Sequence, residues 1–318
     1  MVEKNLAFHT NSSAPCATPS AASATPTSVQ TITPTLWRDY LELTKPRVVA
    51  LMLLTALVGM QLATNEFVGW VTLISGLSGI ALAAGAAAAI NHSIDRIIDS
   101  KMTRTKTRPV VVGKIQPQQA LSFAALLTVL SMVILSVFVN VLTASLTFIT
   151  IIGYAFIYTR ILKPLTSQNI VIGGLAGATP PLLGWTAVTN HIDALPILLV
   201  LIIFTWTPAH FWALAIHRYK EYQLAGVPML PVTHGIEFTK TSILLYTILL
   251  LVVSLLPYFT QQLGHFYALG AVVLNLIFIA LACQLKWFEK PFRAIRLFHY
   301  SNIYLLLLFA LMLGDHFS

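Results

Sequence analysis

Nine apolar runs, each near the ~20 residues needed to cross a hydrocarbon core, dominate this chain and leave few folds open to it. They fall at about 46–64, 68–92, 117–137, 140–159, 168–189, 194–216, 241–259, 265–286 and 295–314. In lipid every backbone N–H and C=O must be satisfied within the structure itself, so runs of this length predict spanning helices. Composition agrees: 57% of the 318 residues are hydrophobic and only 9% are charged, whereas about a quarter are charged in soluble domains. The expected fold class is an all-α polytopic membrane protein, with nine transmembrane helices in one bundle over residues 36–318. Residues 1–35, rich in Ser, Thr, Ala and Pro, predict a disordered cytoplasmic tail, because they carry little apolar surface to bury.

A net charge of +8 and a pI near 9.6 would suit nucleic acid if the basic residues were spread over a surface. They are not. All 19 Lys and Arg lie in the N-terminal segment or in the loops after spans two, four, six and eight, and the opposite loops hold none. The positive-inside rule then predicts a cytoplasmic N-terminus and a C-terminus outside, with no nucleic acid as partner. The N-terminus has neither a signal-peptide core nor the arginine content of a mitochondrial presequence, which points to a bacterial inner membrane with the basic loops cytoplasmic. Cys16 and Cys283 have no metal-ligand spacing.

Charge nevertheless concentrates in "NHSIDRIIDSKMTRTKTRPV", residues 91–110. Asn91, Asp95 and Asp99 recur every fourth residue, so a helix continuing out of span two would carry their side-chain oxygens on one face. Stacked carboxylates repel unless a cation lies among them. Hard oxygen ligands suit Mg²⁺, which takes one or two carboxylates and completes its shell with water and substrate phosphate. Downstream, Lys101, Arg104 and Arg108 offer the donors that match phosphate oxygens. A solvated, salt-bridged loop is the commoner explanation of such charge in a generic membrane protein; the strict Asn/Asp/Asp spacing favours instead a site for a metal-bound diphosphate.

Two further loops stand out. In "YTRILKPLTSQNIVIGGLAGATPPLLGW", residues 158–185, Lys163 approaches a span rich in Gly and broken by Pro180-Pro181, which reads as a closely packed, kinked helix. In "WTPAHFWALAIHRYKEYQLAGVPMLPVTHG", residues 206–235, His210 lies within span six among Trp206, Phe211 and Trp212, with His217, Arg218 and Glu221 following. An ionisable group inside a span is a functional candidate, and imidazole is a common haem-iron ligand. A hydrogen-bonded packing histidine fits the same residues.

These segments, with "LTKPR" at 43–47, resemble the UbiA superfamily of intramembrane prenyltransferases over about residues 36–315, and within it the branch that acts on haem. The resemblance implies transfer of a farnesyl group from farnesyl diphosphate to the 2-vinyl group of haem B, with addition of water, giving haem O. Haem B is then a substrate, and the partners are the bilayer and a downstream haem A synthase or terminal oxidase assembly. By the same resemblance Asn91, Asp95 and Asp99 are catalytic and hold Mg²⁺, and Lys101, Arg104, Arg108 and Lys163 bind the diphosphate, with Lys163 also catalytic. The haem acceptor is expected at His210, Trp206, Phe211, Trp212, His217, Arg218 and Glu221. The chain departs from the superfamily pattern twice: Glu221 is the one acid where a second aspartate-rich motif is common, and Pro164 stands where Arg is common. A prenyltransferase for an aromatic quinone precursor shares the first acidic motif but leaves the His210 segment unexplained. A secondary transporter would place its ionisable residues near the bilayer midplane, often within inverted repeats.

Overall fold

Helices account for the apolar runs, and their breaks occur where side-chain chemistry demands them. The structure, a computed structural model, describes residues 37–288, 290 and 292–318; the predicted tail at 1–35 lies outside them. In chain order the helices are α1 (Trp37–Leu43), α2 (Pro46–Leu62), α3 (Trp70–Ile94), α4 (Arg96–Ser100), α5 (Pro117–Phe138) and α6 (Val141–Ile152). A π-helical segment, Gly153–Leu162, continues α6 into α7 (Lys163–Leu165). There follow α8 (Asn169–Ala178), α9 (Pro180–Thr189), α10 (Ala194–His217), α11 (Tyr219–Ala225), α12 (Leu230–Thr233), α13 (Ile236–Phe259), α14 (His265–Trp287) and α15 (Arg293–His316).

Among the described residues eight helical spans are long and apolar enough to cross a membrane, nine if the pair α1–α2, bent by 53°, is counted as one span. The fold is thus a multi-pass helical bundle with eight or nine of the expected spans. Two irregularities have direct causes. Pro180 and Pro181 open α9 and have no N–H to continue the α8 ladder, so one span becomes two helices hinged at Thr179. Pro46 likewise opens α2, after the α1–α2 break.

Close packing is built from small residues. α2 runs against α9, and a Cβ on Gly59 would meet the Pro181 carbonyl while one on Gly184 would meet the Ala56 carbonyl. The two backbones touch, as small-residue interfaces in membranes allow. α3 packs along α5, and α10 along α8, α13 and α15. Buried hydrogen bonds tie the interior. Ser131 donates to the Gly79 carbonyl at 2.7 Å, and Asn275 Nδ2 donates to Ser254 Oγ at 2.9 Å while its Oδ1 accepts from Tyr304. The outward face of α5 stays apolar: Leu126, Val129, Val133 and Val137 are all exposed, at the spacing of one helix stripe, a surface suited to lipid.

Candidate active site

α3 ends at Ile94, yet its hydrogen-bond ladder does not. Asp95 N–H donates to Asn91 O at 2.9 Å and Asp99 N–H to Asp95 O at 2.8 Å, so α4 continues the same face. Asn91, Asp95 and Asp99 are 4%, 3% and 4% exposed, brought together and taken out of bulk water as their spacing predicts. Thr105, itself buried, donates to the Asp99 carbonyl at 2.9 Å and pins the following turns under the acids.

Three cations meet this face. Arg108 Nη1 donates to Asp99 Oδ2 at 2.5 Å, and Lys163 Nζ donates to Asp95 Oδ2 at 2.5 Å. Lys163 starts α7 directly after the π-helical segment, and such segments recur at functional sites. The third cation is Lys45, to which the sequence alone assigns no role. It sits between α1 and α2 with φ 51° and ψ 59°, a left-handed conformation costly for a residue with a Cβ and more so before proline. That conformation accompanies a specific reach: Nζ donates to Asn91 Oδ1 at 2.6 Å. Arg104 is exposed along much of its surface, with Arg108, Tyr222, Arg218 and Asp99 as charged or polar neighbours, and desolvation followed by Arg108 lowers its pKa. Two cations thus pair with the two carboxylates, Lys45 meets Asn91 and Arg104 lies nearby, a surplus of positive charge suited to a polyanion. Lys101 is exposed and stands apart from these hydrogen bonds.

The donor set fits a divalent ion of the hard kind. Among the described residues no three His, Cys, Asp or Glu side chains form a metal cage. Two carboxylates and one amide oxygen suit Mg²⁺, which completes its shell from substrate oxygens. Among the described residues Asp95 and Asp99 engage their side-chain partners through Oδ2, whereas the Asn91 Oδ1 accepts from Lys45.

The 206–235 segment closes over the same end of the bundle. Tyr222, Ala225, Val227 and Met229 pack with Met102, Ile170 and Ala215 in one buried cluster, so the turns after Asp99 and the α11–α12 connection support each other. Arg218 and Glu221 pair at 3.3 Å, both partly exposed. On α10, His210 is 8% exposed and sandwiched between Trp206 (centroids 4.3 Å apart, 19°) and Phe298 of α15 (4.5 Å, 28°). Phe211 stands edge-on to it at 5.3 Å. Trp212 points elsewhere, into the core and edge-on to Tyr246 of α13, and His217 is exposed at the helix end. Of the expected acceptor residues, Trp206, His210 and Phe211 thus form one group, and Phe298 and Ser301 join it without any signal in the local sequence.

Residues 52–308 match the sequence profile of the UbiA prenyltransferase family. The chain is 60% identical over 284 residues to a protoheme IX farnesyltransferase of Legionella pneumophila (strain Paris), covering 89% of this chain and 97% of that protein. It is 58% identical over 281 residues to one of Idiomarina loihiensis, covering 88% and 94%. Its fold is similar to that of a UbiA homolog from Aeropyrum pernix K1 (TM-score 0.69, 17% identity, covering 85% of this chain and 98% of that one). It is also similar to a UbiA homolog from Archaeoglobus fulgidus bound to GPP and Mg²⁺ (TM-score 0.60, 17% identity, covering 86% and 99%). An acidic helix face under a surplus of cations, at one end of a bundle whose sequence matches the family over most of its length, places the chain by descent as well as by chemistry: it belongs to the UbiA prenyltransferase family.

Proposed function

We propose that the protein transfers the farnesyl group of farnesyl diphosphate to the 2-vinyl group of haem B, in a Mg²⁺-dependent reaction that adds water and yields haem O. The observation that carries this reading is the buried Asn91–Asp95–Asp99 face capped by Lys45, Arg108 and Lys163, in a chain so similar to protoheme IX farnesyltransferases. Asn91, Asp95 and Asp99 would hold Mg²⁺, which when bound supplies Lewis-acid neutralisation of the leaving pyrophosphate. Lys45, Arg104, Arg108 and Lys163 bind the diphosphate oxygens. Their charge is already in place where the leaving group gains charge, so little reorganisation accompanies the break of the allylic C–O bond. Arg108 and Lys163 meanwhile keep the two carboxylates neutralised before substrate arrives. The vinyl group attacks the allylic carbon, the resulting cation takes the oxygen of water, and one proton leaves. The isoprenoid chain lies in the apolar bundle, and the Trp206 and Phe211 rings supply faces for the allylic cation. His210 is the ligand for the haem iron. The loops of the site face the cytoplasm of a bacterial inner membrane, in line with the charge distribution, and haem O passes to a haem A-forming enzyme or a terminal oxidase.

The test is direct. Purified protein in lipid, given haem B and farnesyl diphosphate, should form haem O with Mg²⁺ and none with EDTA, as read by mass spectrometry of extracted haem. Prenylation of 4-hydroxybenzoate in place of haem B would reject haem B as the acceptor.

A further inference from the structure

The His210 side chain is held from a helix 91 residues away in sequence, and the atoms that hold it decide which ring nitrogen is free. His210 Nδ1 lies 2.6 Å from Ser301 Oγ. The same Oγ lies 2.7 Å from the Phe298 carbonyl. A serine hydroxyl has one proton, and a carbonyl can only accept. Both contacts are hydrogen bonds in a single arrangement: Ser301 donates to Phe298 O and accepts from His210 Nδ1–H. The imidazole is then the Nδ1–H tautomer, with its lone pair on Nε2. Nε2 has no hydrogen bond among the described residues, and His210 keeps 8% of its surface exposed.

The surroundings fix the ring as firmly as the tautomer. Trp206, one turn before His210, donates its indole N–H to the Ser301 carbonyl at 2.9 Å, so one residue of α15 accepts from two successive turns of α10. The Trp206 and Phe298 rings stack on the two faces of the imidazole. Ser301 is 0% exposed, out of contact with bulk water. A histidine that ligates a metal through one nitrogen commonly donates its other N–H to an oxygen, which orients the ring and raises its basicity.

We propose that Ser301 is the positioning residue for haem B: by accepting from His210 Nδ1–H and donating to the Phe298 carbonyl, it holds His210 with the Nε2 lone pair presented to the haem iron. This rests on the reading of His210 as the haem ligand. It goes further by naming a residue on the last helix, remote in sequence from the acidic and histidine-bearing motifs, as the source of the ligand's tautomer and orientation.

The experiment is a titration of the full-length protein in nanodiscs with haem B, ferric and ferrous, recording the Soret and visible bands, with farnesyl diphosphate binding and thermal unfolding measured alongside. Ser301→Ala should weaken haem binding by about tenfold or more, the usual effect of losing an outer-sphere partner, and move the bands toward those of His210→Ala. Farnesyl diphosphate binding should stay as in wild type. Ser301→Thr keeps the hydroxyl and should keep wild-type bands. Ser301→Cys, of similar size but a poor acceptor, should behave as Ser301→Ala and serves if the alanine variant does not fold. Wild-type bands and affinity in Ser301→Ala or Ser301→Cys, or a Thr variant as impaired as Ala, would overturn the role of Ser301 while leaving His210 as ligand. Wild-type bands in His210→Ala would overturn the ligand reading and this inference with it.

Discussion

Replacing Lys163 by methionine separates its contact with Asp95 from the diphosphate contact proposed for it. The Lys163–Asp95 contact is 2.5 Å, with side chains 14% and 4% exposed. At an effective dielectric near 20 the gross Coulomb attraction at that distance is about 7 kcal/mol, most of it cancelled by desolvation of both groups. A net ~2–3 kcal/mol remains, the range of a hydrogen bond to a charged group. Without metal, Lys163→Met therefore leaves a buried carboxylate supported by the Asn91 amide alone, and the protein should lose that ~2–3 kcal/mol of stability. Asp95→Asn should lower stability too, whereas the double variant should recover much of the loss, giving a coupling energy of about 2 kcal/mol in a double-mutant cycle. Adding Mg²⁺ supplies the missing positive charge, so the stability of Lys163→Met should rise toward wild type while its turnover stays down by about 10²–10³-fold, since a cation that meets the developing pyrophosphate charge is gone. Denaturant unfolding with and without Mg²⁺, and pyrophosphate release under saturating farnesyl diphosphate, read the two effects separately. A coupling energy near zero, or turnover within threefold of wild type, would refute the dual role.

Other substitutions probe the rest of the site. Asp95→Ala and Asp99→Ala should each reduce turnover by at least about 10³-fold, the scale of losing metal-assisted charge stabilisation, while both proteins still insert into membranes; wild-type activity in either would remove that carboxylate from the ion. Lys45→Met should raise the KM for farnesyl diphosphate by about tenfold, equivalent to about 1.4 kcal/mol, and an unchanged KM would mean that Lys45 only braces Asn91. Lys101→Ala should stay within about twofold of wild type, as expected of an exposed charge, and a large loss would bring it back to the diphosphate. Gly184→Leu should destabilise the fold by at least ~1–3 kcal/mol through overpacking against the Ala56 backbone, and an unaltered unfolding midpoint would show that α2 and α9 can part at low cost.

What can be read from the sequence is whatever repeats at short range. The spans follow from run length, and the Asn91–Asp95–Asp99 face follows from a spacing of four, because the backbone bonds from Asp95 to Asn91 and from Asp99 to Asp95 carry the helix through the α3–α4 junction. The hinge at Thr179 is legible for the same reason, since two prolines cannot extend a ladder that needs their N–H. Contacts made at long range are not legible. Lys45 stands 46 residues before Asn91, and its one local clue is a Lys before Pro46, which hides the left-handed turn that aims it. Ser301 has no local clue at all: a serine in an apolar helix most often satisfies itself on its own backbone, and only the 2.6 Å contact to His210 gives its oxygen a second task.

The partners of the cations add to the simplest reading of the acidic loop in the same way. Arg108 and Lys163 are expected on phosphate, and in the structure they lie on Asp99 and Asp95. Both placements follow from one electrostatic requirement. Two carboxylates buried four residues apart need positive charge whether or not a metal is present, and a diphosphate needs positive charge whether or not the carboxylates are filled. A cation shared between the two can serve each in turn: it holds the acids together before the ion and substrate bind, then becomes available to the leaving group when the ion takes over the acids. Loss of such a residue should therefore cost more in turnover with metal than in stability with metal, the asymmetry that the Lys163 cycle measures.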